Sequence, residues 1–456
     1  MRHGLLTVGL LTLIGVAAVG RGQPPAPPVE PPPPRSLPPT LSGAPAPTFA
    51  APPVSPAGGV APAPAPRPPA AAADASVTKF EPLAAFPLTT QLAVRSVALG
   101  SNWLTRMNQA HGRFLYGYRP ALRLAMDGDH DLRQAQAALA LARAAKFAGD
   151  DRQAAVASQA ILALLAVTKL DPADPDSRVP VASSFTCNRV GFAAVLALSI
   201  YELPAADDKL VAEAERLCNF LRKQLRPDGS VHYTDHPTES PSKTDPAGMN
   251  EYPGFALHAL AAGNRVRPAA WKAEAVKKGV AYYRGWFKAN PHPMLAATLT
   301  PGFAELAGQG PSAEAAEAVF ELNDWLAALQ YPATDARQPV RVGGFKGWAN
   351  GRAVEGEPGC ECGAYLQSLA CAYQLSRQGT DVMRADRFRQ AATDAAHFLT
   401  LLQYSEANTR HFENTFRANV LVGGFHLATT DGDLRVDATA SAVTGLLRFL
   451  ESGAEK

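Results

Sequence analysis

The sequence contains little cysteine and little charge for its length. Five cysteines in 456 residues, an odd and small number, exclude the disulfide framework that holds many small secreted domains together. Lys and Arg total 43 against 41 Asp and Glu, a net charge of +2, and no basic run stands out. This balance offers no electrostatic surface for a polyanion, so we expect no nucleic-acid partner. After the first 22 residues, no apolar stretch is long enough to span a bilayer.

The first 22 residues have the pattern of an export signal. Basic Arg2 and His3 precede an apolar stretch over residues 4–19, and small residues follow at 18–20. The apolar stretch is in the length range of a signal peptide and short for a spanning helix. We therefore predict a signal peptide over residues 1–22 and an extracytoplasmic location, which is periplasmic, envelope-associated or secreted. An uncleaved signal would be the chain's contact with a membrane.

Residues 23–78 are dominated by proline and alanine, as in the runs at 31–34 and 61–66. Proline removes amide donors and fixes φ, and this segment has almost no large apolar side chains to bury. We predict a disordered, extended linker here. It either holds the following domain, residues 79–456, away from a membrane or wall, or is a dispensable tail.

From residue 80 onward the apolar residues recur at helical spacing. We predict twelve helices, at residues 87–109, 131–148, 151–169, 187–202, 205–225, 252–263, 268–289, 293–308, 312–330, 359–376, 383–403 and 437–452. Little of the sequence is typical of strands, although Ser230–Tyr233 could form a small hairpin arm. Short turns and long loops alternate between the helices, and only the turn at residues 290–292 breaks this rule. Loops this long usually carry function.

The even-numbered helices are the more apolar ones. The fourth, with residues 191–198 apolar on nearly every face, must be buried, whereas odd-numbered helices such as 383–403 carry charges on one side. Six inner and six outer helices in alternation describe an all-α fold, an (α/α)6 barrel or toroid of six helical hairpins. The face that carries the long loops should be the functional mouth.

A short pattern occurs twice, each time between an outer and an inner helix. Leu329-Gln330-Tyr331 is followed by Gly343-Gly344-Phe345, and Leu402-Gln403-Tyr404 by Gly423-Gly424-Phe425. This unit resembles the repeats of the α/α-toroid superfamily, which includes terpenoid cyclases and protein prenyltransferase β-subunits. The architecture also resembles that of six-hairpin glycosidases and some polysaccharide lyases and epimerases. The resemblance covers about residues 312–452 and concerns the fold more than the function.

The sequence departs from the isoprenoid enzymes of that superfamily. Their cyclases use an Asp-x-Asp-Asp acid, whereas residues 434–440 here hold one carboxylate, Asp437. Their prenyltransferases bind zinc through Asp, Cys and His, whereas Glu361 and Cys362 are adjacent here and no His begins the last inner helix. We therefore expect neither a metal nor a cofactor. Cys360 and Cys362 fit two reduced residues packed under a loop, with a small disulfide or a pair of metal ligands as alternatives.

The starts of the six inner helices should surround one opening, where free amides and helix dipoles favour anions. As catalytic candidates we take Glu251 and Glu361 as an acid–base pair, with Asp437, and with His130 as a proton carrier. The substrate-binding candidates are Asp131, Arg133, Asn188, Tyr252, His292 and Trp348. Asp and Asn at such positions are commonly plain helix caps, and a histidine there is commonly structural.

Three functions fit these observations. The first is an exported glycan-binding or glycan-processing protein of the glycoside hydrolase, lyase or epimerase type, whose partner is a glycan or a cell-envelope component. The second is a prenyltransferase- or cyclase-like protein that acts on isoprenoids. The third is a non-catalytic envelope scaffold or binding module. The lining of the central cavity should separate them, because a filled barrel would exclude both enzymes and an apolar cavity would favour isoprenoids.

Overall fold

A computed structural model describes residues 83–183, 185, 188–234, 246–310, 312–334 and 339–454, all of which belong to one compact unit, Thr78–Lys456. The predicted signal peptide and linker, and Cys187, lie outside the described residues. The helices are α1 (Leu88–Met107), α2 (Asp131–Ala148), α3 (Asp151–Leu165), α4 (Arg189–Glu202), α5 (Asp208–Lys223), α6 (Pro246–Val266), α7 (Ala270–Ala289), α8 (Pro293–Gln309), α9 (Ala313–Ala327), α10 (Cys362–Ser376), α11 (Val382–Leu401), the one-turn α12 (Asn414–Phe416) and α13 (Val436–Ser452). Within these ranges no helix has the length and apolarity needed to cross a membrane.

Six inner helices form a closed ring. Each of α2, α4, α6, α8 and α10 packs against the next, and α13 packs against both α10 and α2. The remaining long helices pack outside this ring, as α1 does against α13 and α5 against α4. Composition explains the division. In α4 every residue from Val190 to Tyr201 is buried, whereas α5 buries one face and exposes its charges. The predicted (α/α)6 toroid of six hairpins is confirmed.

One helix start differs from the prediction in a way that affects the site. Helix α6 begins at Pro246 and not at residue 252, so Glu251 and Tyr252 lie within the helix and not at its start. Pro253 indicates a helix start at residue 252, because proline is favoured in the first turn of a helix, where its missing N–H costs nothing. Here it is accommodated inside the helix.

The long loops contain more strand than predicted. A four-stranded sheet with the order β2-β1-β8-β7 joins the first long loop to the last: β1 (Gly117–Arg119), β2 (Leu124–Ala125), β7 (His426–Ala428) and β8 (Asp431–Arg435). Two hairpins lie in other loops, β3 (Thr168–Asp171) with β4 (Asp174–Pro180) and β5 (Gly347–Ala349) with β6 (Arg352–Val354). These strands are too short and too polar to show an alternating pattern. Val231, in the predicted hairpin arm, makes one isolated bridge with Leu225.

The repeated sequence unit forms a clasp between neighbouring hairpins of the barrel. In the first copy Gln330 bridges Phe345, and the Gln330 amide donates to the carbonyls of Gly343 and of Ala391 in α11, both at 2.9 Å. In the second copy Gln403 bridges Phe425 and donates to the carbonyl of Ser96 in α1 at 2.9 Å. The last hairpin is thereby fastened to the first, which closes the ring.

Two further copies of this clasp are present that the sequence comparison missed. Asn108 bridges Phe114, and Leu225 bridges Val231. Each copy includes a left-handed glycine, at φ +86° for Gly112 and +91° for Gly229, as for Gly343 and Gly423 in the copies with glutamine. These two copies retain the left-handed glycine and the bridge. They lack the Gln-aromatic and Gly-Gly-Phe motifs, so the sequence pattern does not reveal them.

The left-handed glycine is the part of the clasp least tolerant of change. At Gly343 φ is +83° and an added Cβ would lie 2.2 Å from the Asp394 carbonyl oxygen in α11. We expect Gly343→Ala to destabilise the protein by about 1–2 kcal/mol from the backbone and a further 1–3 kcal/mol from the overlap. Gly351→Ala is the matched control, because its φ is +72° and its Cβ would meet nothing within 4 Å. Urea unfolding that gave equal losses for both variants would contradict the packing argument.

Candidate active site

The barrel is not filled along its axis. A cavity of about 450 Å³ lies inside the ring of inner helices and is lined by residues of all six, within the size range of small-ligand sites. Its lining runs down each helix in steps of three or four residues, for example His130, Arg133, Gln136 and Leu139 on α2. This is the spacing of one helix face. The cavity therefore begins at the predicted mouth and follows the barrel axis.

Six of the ten predicted site residues line this cavity. All four proposed catalytic residues do so, together with two of the proposed substrate-binding residues; they are His130, Glu251, Glu361, Asp437, Arg133 and Tyr252. They come from α2, α6, α10 and α13 or from the residue just before these helices. The topological argument that helix starts meet at one opening accounts for His130, Arg133, Glu361 and Asp437, whereas Glu251 and Tyr252 reach the cavity from inside α6.

The other four predicted substrate-binding residues do not line the cavity. Asn188 is the cap of α4 and accepts from the Gly191 amide at 2.8 Å, and His292 caps α8 through the Met294 amide at 3.2 Å. Asp131 is 2% exposed and accepts from Arg113 at 2.7 Å. Trp348 packs edge-on against Trp325 with ring centroids 4.9 Å apart. Asn188 and His292 therefore follow the alternative reading as helix caps.

Glu361 is the carboxyl group with the most unusual surroundings. It directly precedes α10, and its Oε1 accepts from the Gly359 amide at 3.0 Å. Burial raises the pKa of Glu361 above that of a free glutamate, and the hydrogen bonds from backbone amides oppose this rise without reversing it. A carboxyl group whose charged form is disfavoured holds its proton to higher pH, which a general acid requires.

Asp437, unlike Glu361, contacts two arginine side chains. Arg435 donates to both of its carboxylate oxygens, at 2.6 and 2.9 Å, and Arg133 lies 3.4 Å away. Such bidentate, charge-assisted pairing fixes the orientation of the carboxylate. Arg133 also bonds the Tyr116 hydroxyl. The mouth therefore contains a fixed arginine–carboxylate cluster next to the more weakly solvated Glu361.

Glu251 lies in the same region as Glu361. Burial, followed by the negative charges of Glu361 and Glu251 among others, raises the pKa of the buried Tyr365 hydroxyl well above its ordinary value, so both carboxyl groups lie close to this ring. Tyr252, the next residue, packs its ring against Gly191 of α4, where an added Cβ would be 2.6 Å from the ring. Glycine at 191 thus makes room for the aromatic wall of the cavity.

His130 precedes α2 and presents a polar atom without a partner. Its Nδ1 is buried and makes no hydrogen bond among the described residues. Burial, and then the positive charge of Arg133, lowers the pKa of His130, so the ring is neutral at pH 7. Buried polar atoms are normally satisfied in native proteins, and this one lines the cavity. A ligand hydroxyl or a water molecule could satisfy it.

The cysteines at the mouth are thiols. Cys360 and Cys362 are both free, as are Cys218 and Cys371, so the small disulfide considered from sequence does not form. Burial and the nearby Glu361 raise the pKa of Cys360 to about 12, which leaves it without nucleophilic thiolate at pH 7. Among the described residues no group of three or more His, Cys, Asp or Glu side chains has a metal-binding arrangement.

Several polar residues of the lining were missed from the sequence. Arg435 precedes α13 at the mouth, and four others lie deeper on the inner helices: Gln136, Arg143, His258 and Gln367. A signal was present, because each deeper residue is polar within a helix predicted to be buried, and such a residue needs a partner or a cavity. The helix starts alone therefore predict only the upper part of the cavity lining.

Comparisons with known proteins give a fold and no family. No protein-family model matches the chain, and no curated protein matches its sequence. Solved structures do match: D-mannose isomerase has a TM-score of 0.57 at 10% identity over 80% of this chain and 99% of that one. The cellobiose 2-epimerase of Bacillus thermoamylovorans has a TM-score of 0.57 at 8% identity, over 80% and 98% of the two chains.

A third similar structure is an unsaturated glucuronyl hydrolase of Bacillus sp. GL1, with a TM-score of 0.54 at 13% identity over 80% of this chain and 98% of that one. Identities this low carry no residue correspondence and no reaction. The structural alignments nevertheless cover 98–99% of these three proteins. The chain therefore has the α/α-toroid fold of the six-hairpin type that the helix pattern predicts.

Proposed function

We propose that this protein is a glycan-processing enzyme that works by acid–base chemistry in the central cavity. The observation that carries the proposal is the meeting, in one cavity, of a carboxyl group with a raised pKa, Glu361, and further carboxylates of different surroundings. Proton donation and proton removal on a sugar require two carboxyl groups in different surroundings within reach of one ligand.

The roles follow from the surroundings of each group. Glu361 is the proton donor, because its proton is retained to higher pH. Glu251 is the base, because it lines the cavity close to Glu361 beside the Tyr365 ring, whereas Asp437 is held by Arg435 and Arg133. Asp437 positions the two arginines, and His130 binds a substrate hydroxyl through its unpartnered nitrogen. Neutral and charged donors in a partly enclosed cavity suit a hydroxyl-rich ligand.

The similar structures support a sugar substrate. The proteins named above act, by their names, on mannose, cellobiose and unsaturated glucuronyl compounds. The cavity wall combines apolar side chains such as Leu139, Leu198 and Phe255 with carboxylates, arginines and histidines at both the mouth and the throat end. The charged groups favour a sugar over the isoprenoid alternative, because a hydrocarbon chain would leave them without partners. The reaction type stays open among hydrolase, lyase and epimerase, which share the need for one acid and one base.

The experiment that tests the proposal separates these three reactions by isotope incorporation from water and by ultraviolet absorbance. Purified protein is incubated with a panel of neutral and uronate-containing oligosaccharides in H₂¹⁸O and, separately, in D₂O. Hydrolysis incorporates ¹⁸O at the new reducing end, epimerisation incorporates deuterium on carbon, and elimination gives a conjugated alkene that absorbs ultraviolet light. Binding without any turnover would support a binding module instead, and neither binding nor turnover across the panel would overturn the proposal.

We further propose that the activity lies outside the cytoplasm. The support is the sequence pattern alone, with its basic start and the apolar stretch over residues 4–19. Expression of the full chain followed by fractionation should place it in the extracytoplasmic fraction, with a new N-terminus near residue 20–23. Mass spectrometry of the mature chain measures this, and an intact Met1 on protein in the cytoplasm would contradict the expectation.

A further inference from the structure

The barrel has a second cavity at the end opposite the mouth. This lower cavity has a volume of about 210 Å³ and lies between the C-terminal halves of the inner helices, where the short turns are. Lys146, Arg265 and Glu451 line it with side chains that are at least 40% exposed. It therefore communicates with solvent on the face that carries no long loops.

The two cavities meet at a narrow set of shared residues. Arg143, His258, Pro301 and Gln367 line both the central and the lower cavity. They come from four different inner helices, α2, α6, α8 and α10. We call the three polar members of this set, Arg143, His258 and Gln367, the throat. Pro301 completes its wall without supplying a donor.

The lower cavity contains more positive than negative side chains: Arg143, Lys146, Arg265 and Arg448 against Glu202, Glu305 and Glu451. Burial alone would raise the pKa of Glu202, but the charge of Arg143, with those of Lys146 and Arg265, lowers it to about 2. Glu202 nevertheless makes its ion pairs with the other two. Glu202 binds Lys146 at 3.1 Å and Arg265 at 3.0 Å. Glu305 binds Arg265 at 2.7 Å, and Glu451 lies 3.5 Å from Arg448. All three carboxylates of this cavity thus form ion pairs with lysine or arginine side chains other than Arg143. Arg143 itself makes no hydrogen bond or ion pair among the described residues.

The other two throat residues also have unused hydrogen-bonding capacity. His258 is 8% exposed, more than nine-tenths buried, and makes no hydrogen bond among the described residues. Gln367 is half-buried and likewise has no partner in the described part of the chain. Burial, and then the charge of Arg143, lowers the pKa of His258 to about 3. The ring is therefore neutral at pH 7 and can donate one hydrogen bond.

We propose that the throat binds the carboxylate of an acidic sugar whose ring occupies the central cavity. The proposal rests on the proposed function and names its substrate class, a uronic acid or an oligosaccharide that ends in one. Four cationic side chains share three carboxylates in the lower cavity, so one positive charge is left uncompensated, and a ligand carboxylate fits the planar pair of N–H donors of Arg143. His258 and Gln367 supply further donors, which a carboxylate with its four lone-pair positions can accept.

The arrangement argues against a structural role for Arg143. Structural arginines of this barrel are satisfied by the protein, as Arg377 is by the Ser452 carbonyl at 2.7 Å and Arg284 by Glu321 at 2.6 and 2.8 Å. Arg143 lines two cavities, and among the described residues its guanidinium group makes no hydrogen bond or ion pair with either wall. Arg143 at the throat would then bind one end of the ligand, while Glu361 at the mouth faces the other end for proton transfer.

The test measures binding and not turnover. Calorimetry compares glucuronate and galacturonate with their neutral amides, glucuronamide and galacturonamide, on the wild type and on Arg143→Gln. We expect Arg143→Gln to weaken binding of the acids by about 30-fold or more, the effect typical of removing one partner of a buried charge pair, and to leave the amides unchanged. Arg152→Gln is the control, because it removes the same charge from an exposed site on α3.

Each outcome decides the proposal. Equal binding of acid and amide by the wild type, or equal acid binding by Arg143→Gln and Arg152→Gln, overturns it. Competition by inorganic phosphate at the same concentration as the acid overturns the sugar assignment in favour of a free anion. Thermal unfolding of Arg143→Gln near the wild-type temperature shows that lost binding is not lost folding.

The outcomes also separate this proposal from the proposed function. Turnover of neutral oligosaccharides with no acid-specific binding would leave the enzyme assignment intact and remove the carboxylate site. Acid-specific, Arg143-dependent binding without turnover of any panel member would retain the site and remove the enzyme assignment. Glu361→Gln should bind the acids within a few-fold of the wild type, since Glu361 is assigned to proton transfer.

Discussion

Glu361→Gln is expected to lower kcat by about 10²- to 10⁴-fold, the usual contribution of a positioned general acid. Glutamine has the same shape and can still accept from the Gly359 amide, but it has no acidic proton to transfer. Substrate affinity should change only a few-fold, because the loss is confined to the transition state. The measurement is kcat and KM on whichever panel substrate is turned over.

The control for this variant lies in the same long loop. Glu355→Gln makes the same chemical change at an exposed side chain paired with Lys346 at 3.2 Å, away from the residues that line the cavity. It should keep wild-type kcat. Equal kcat for Glu361→Gln and the wild type would remove Glu361 from the catalytic role, and Glu251 would then be the next carboxyl group to replace.

The pH dependence of the wild type has a definite direction. Burial raises the pKa of Glu361, so the protonated, active form persists above the pH at which a free glutamate ionises. Activity should be retained through the mildly acidic range and fall as pH rises through the raised pKa. The residual activity of Glu361→Gln should lack this fall. A wild-type profile that is flat from pH 4 to 8 would contradict the assignment of Glu361 as the acid.

Lys272→Met is expected to destabilise the protein by about 2–4 kcal/mol. Lys272 is 0% exposed and its ammonium group donates to both oxygens of Glu215, at 2.8 and 2.7 Å. It also donates to the carbonyls of Gly263 at 3.1 Å and Arg267 at 3.0 Å, at the end of α6. Methionine fills the same volume and leaves all four acceptors without this donor.

The magnitude depends on how well Glu215 can be solvated afterwards. Its side chain is 24% exposed and keeps the Tyr201 hydroxyl as a donor at 2.6 Å, which sets the estimate below the value for a fully buried pair. The double variant Lys272→Met with Glu215→Gln should recover part of the loss, because the remaining uncompensated charge is removed.

Urea unfolding measures this prediction, with Lys278→Met as the control. Lys278 lies on the same helix, is 51% exposed and is 3.8 Å from Glu274, so its replacement should change stability by less than about 0.5 kcal/mol. Equal stability of the two single variants would contradict the account. Since Lys272 is outside the central cavity, the fully folded variant should keep its activity.

Topology alone brought some of the predicted site residues to the cavity, and side-chain geometry kept others out of it. Glu361 and Asp437 follow the long loops that lead into inner helices, so the alternation of helices is enough to bring them to one opening. Asn188 and His292 occupy equivalent positions, but their side chains fold back on the first amides of their own helices. Whether a polar residue at a helix start turns inward or caps its helix depends on contacts that no linear pattern contains.

The barrel itself is determined by the sequence alone. Helices that are apolar on every side can only lie inside, amphipathic helices can only lie outside them, and alternation of the two with short and long connections leaves a ring of hairpins. This information is local and repeats every hairpin, so errors of a few residues at helix ends do not affect it. The predicted start of α6 is six residues too late because of Pro253, yet the order of inner and outer helices is correct.

Only the tertiary structure decided that the barrel is hollow and what lines it. Among the described residues, the Nδ1 of His130 has no hydrogen-bond partner and the guanidinium of Arg143 has no hydrogen bond or ion pair. Such features arise only when six helices from distant parts of the chain are packed together. The raised pKa of Glu361 has the same origin, because burial is a property of the whole assembly. The sequence determines where polar residues stand along each helix; packing determines which of them remain free to bind a ligand.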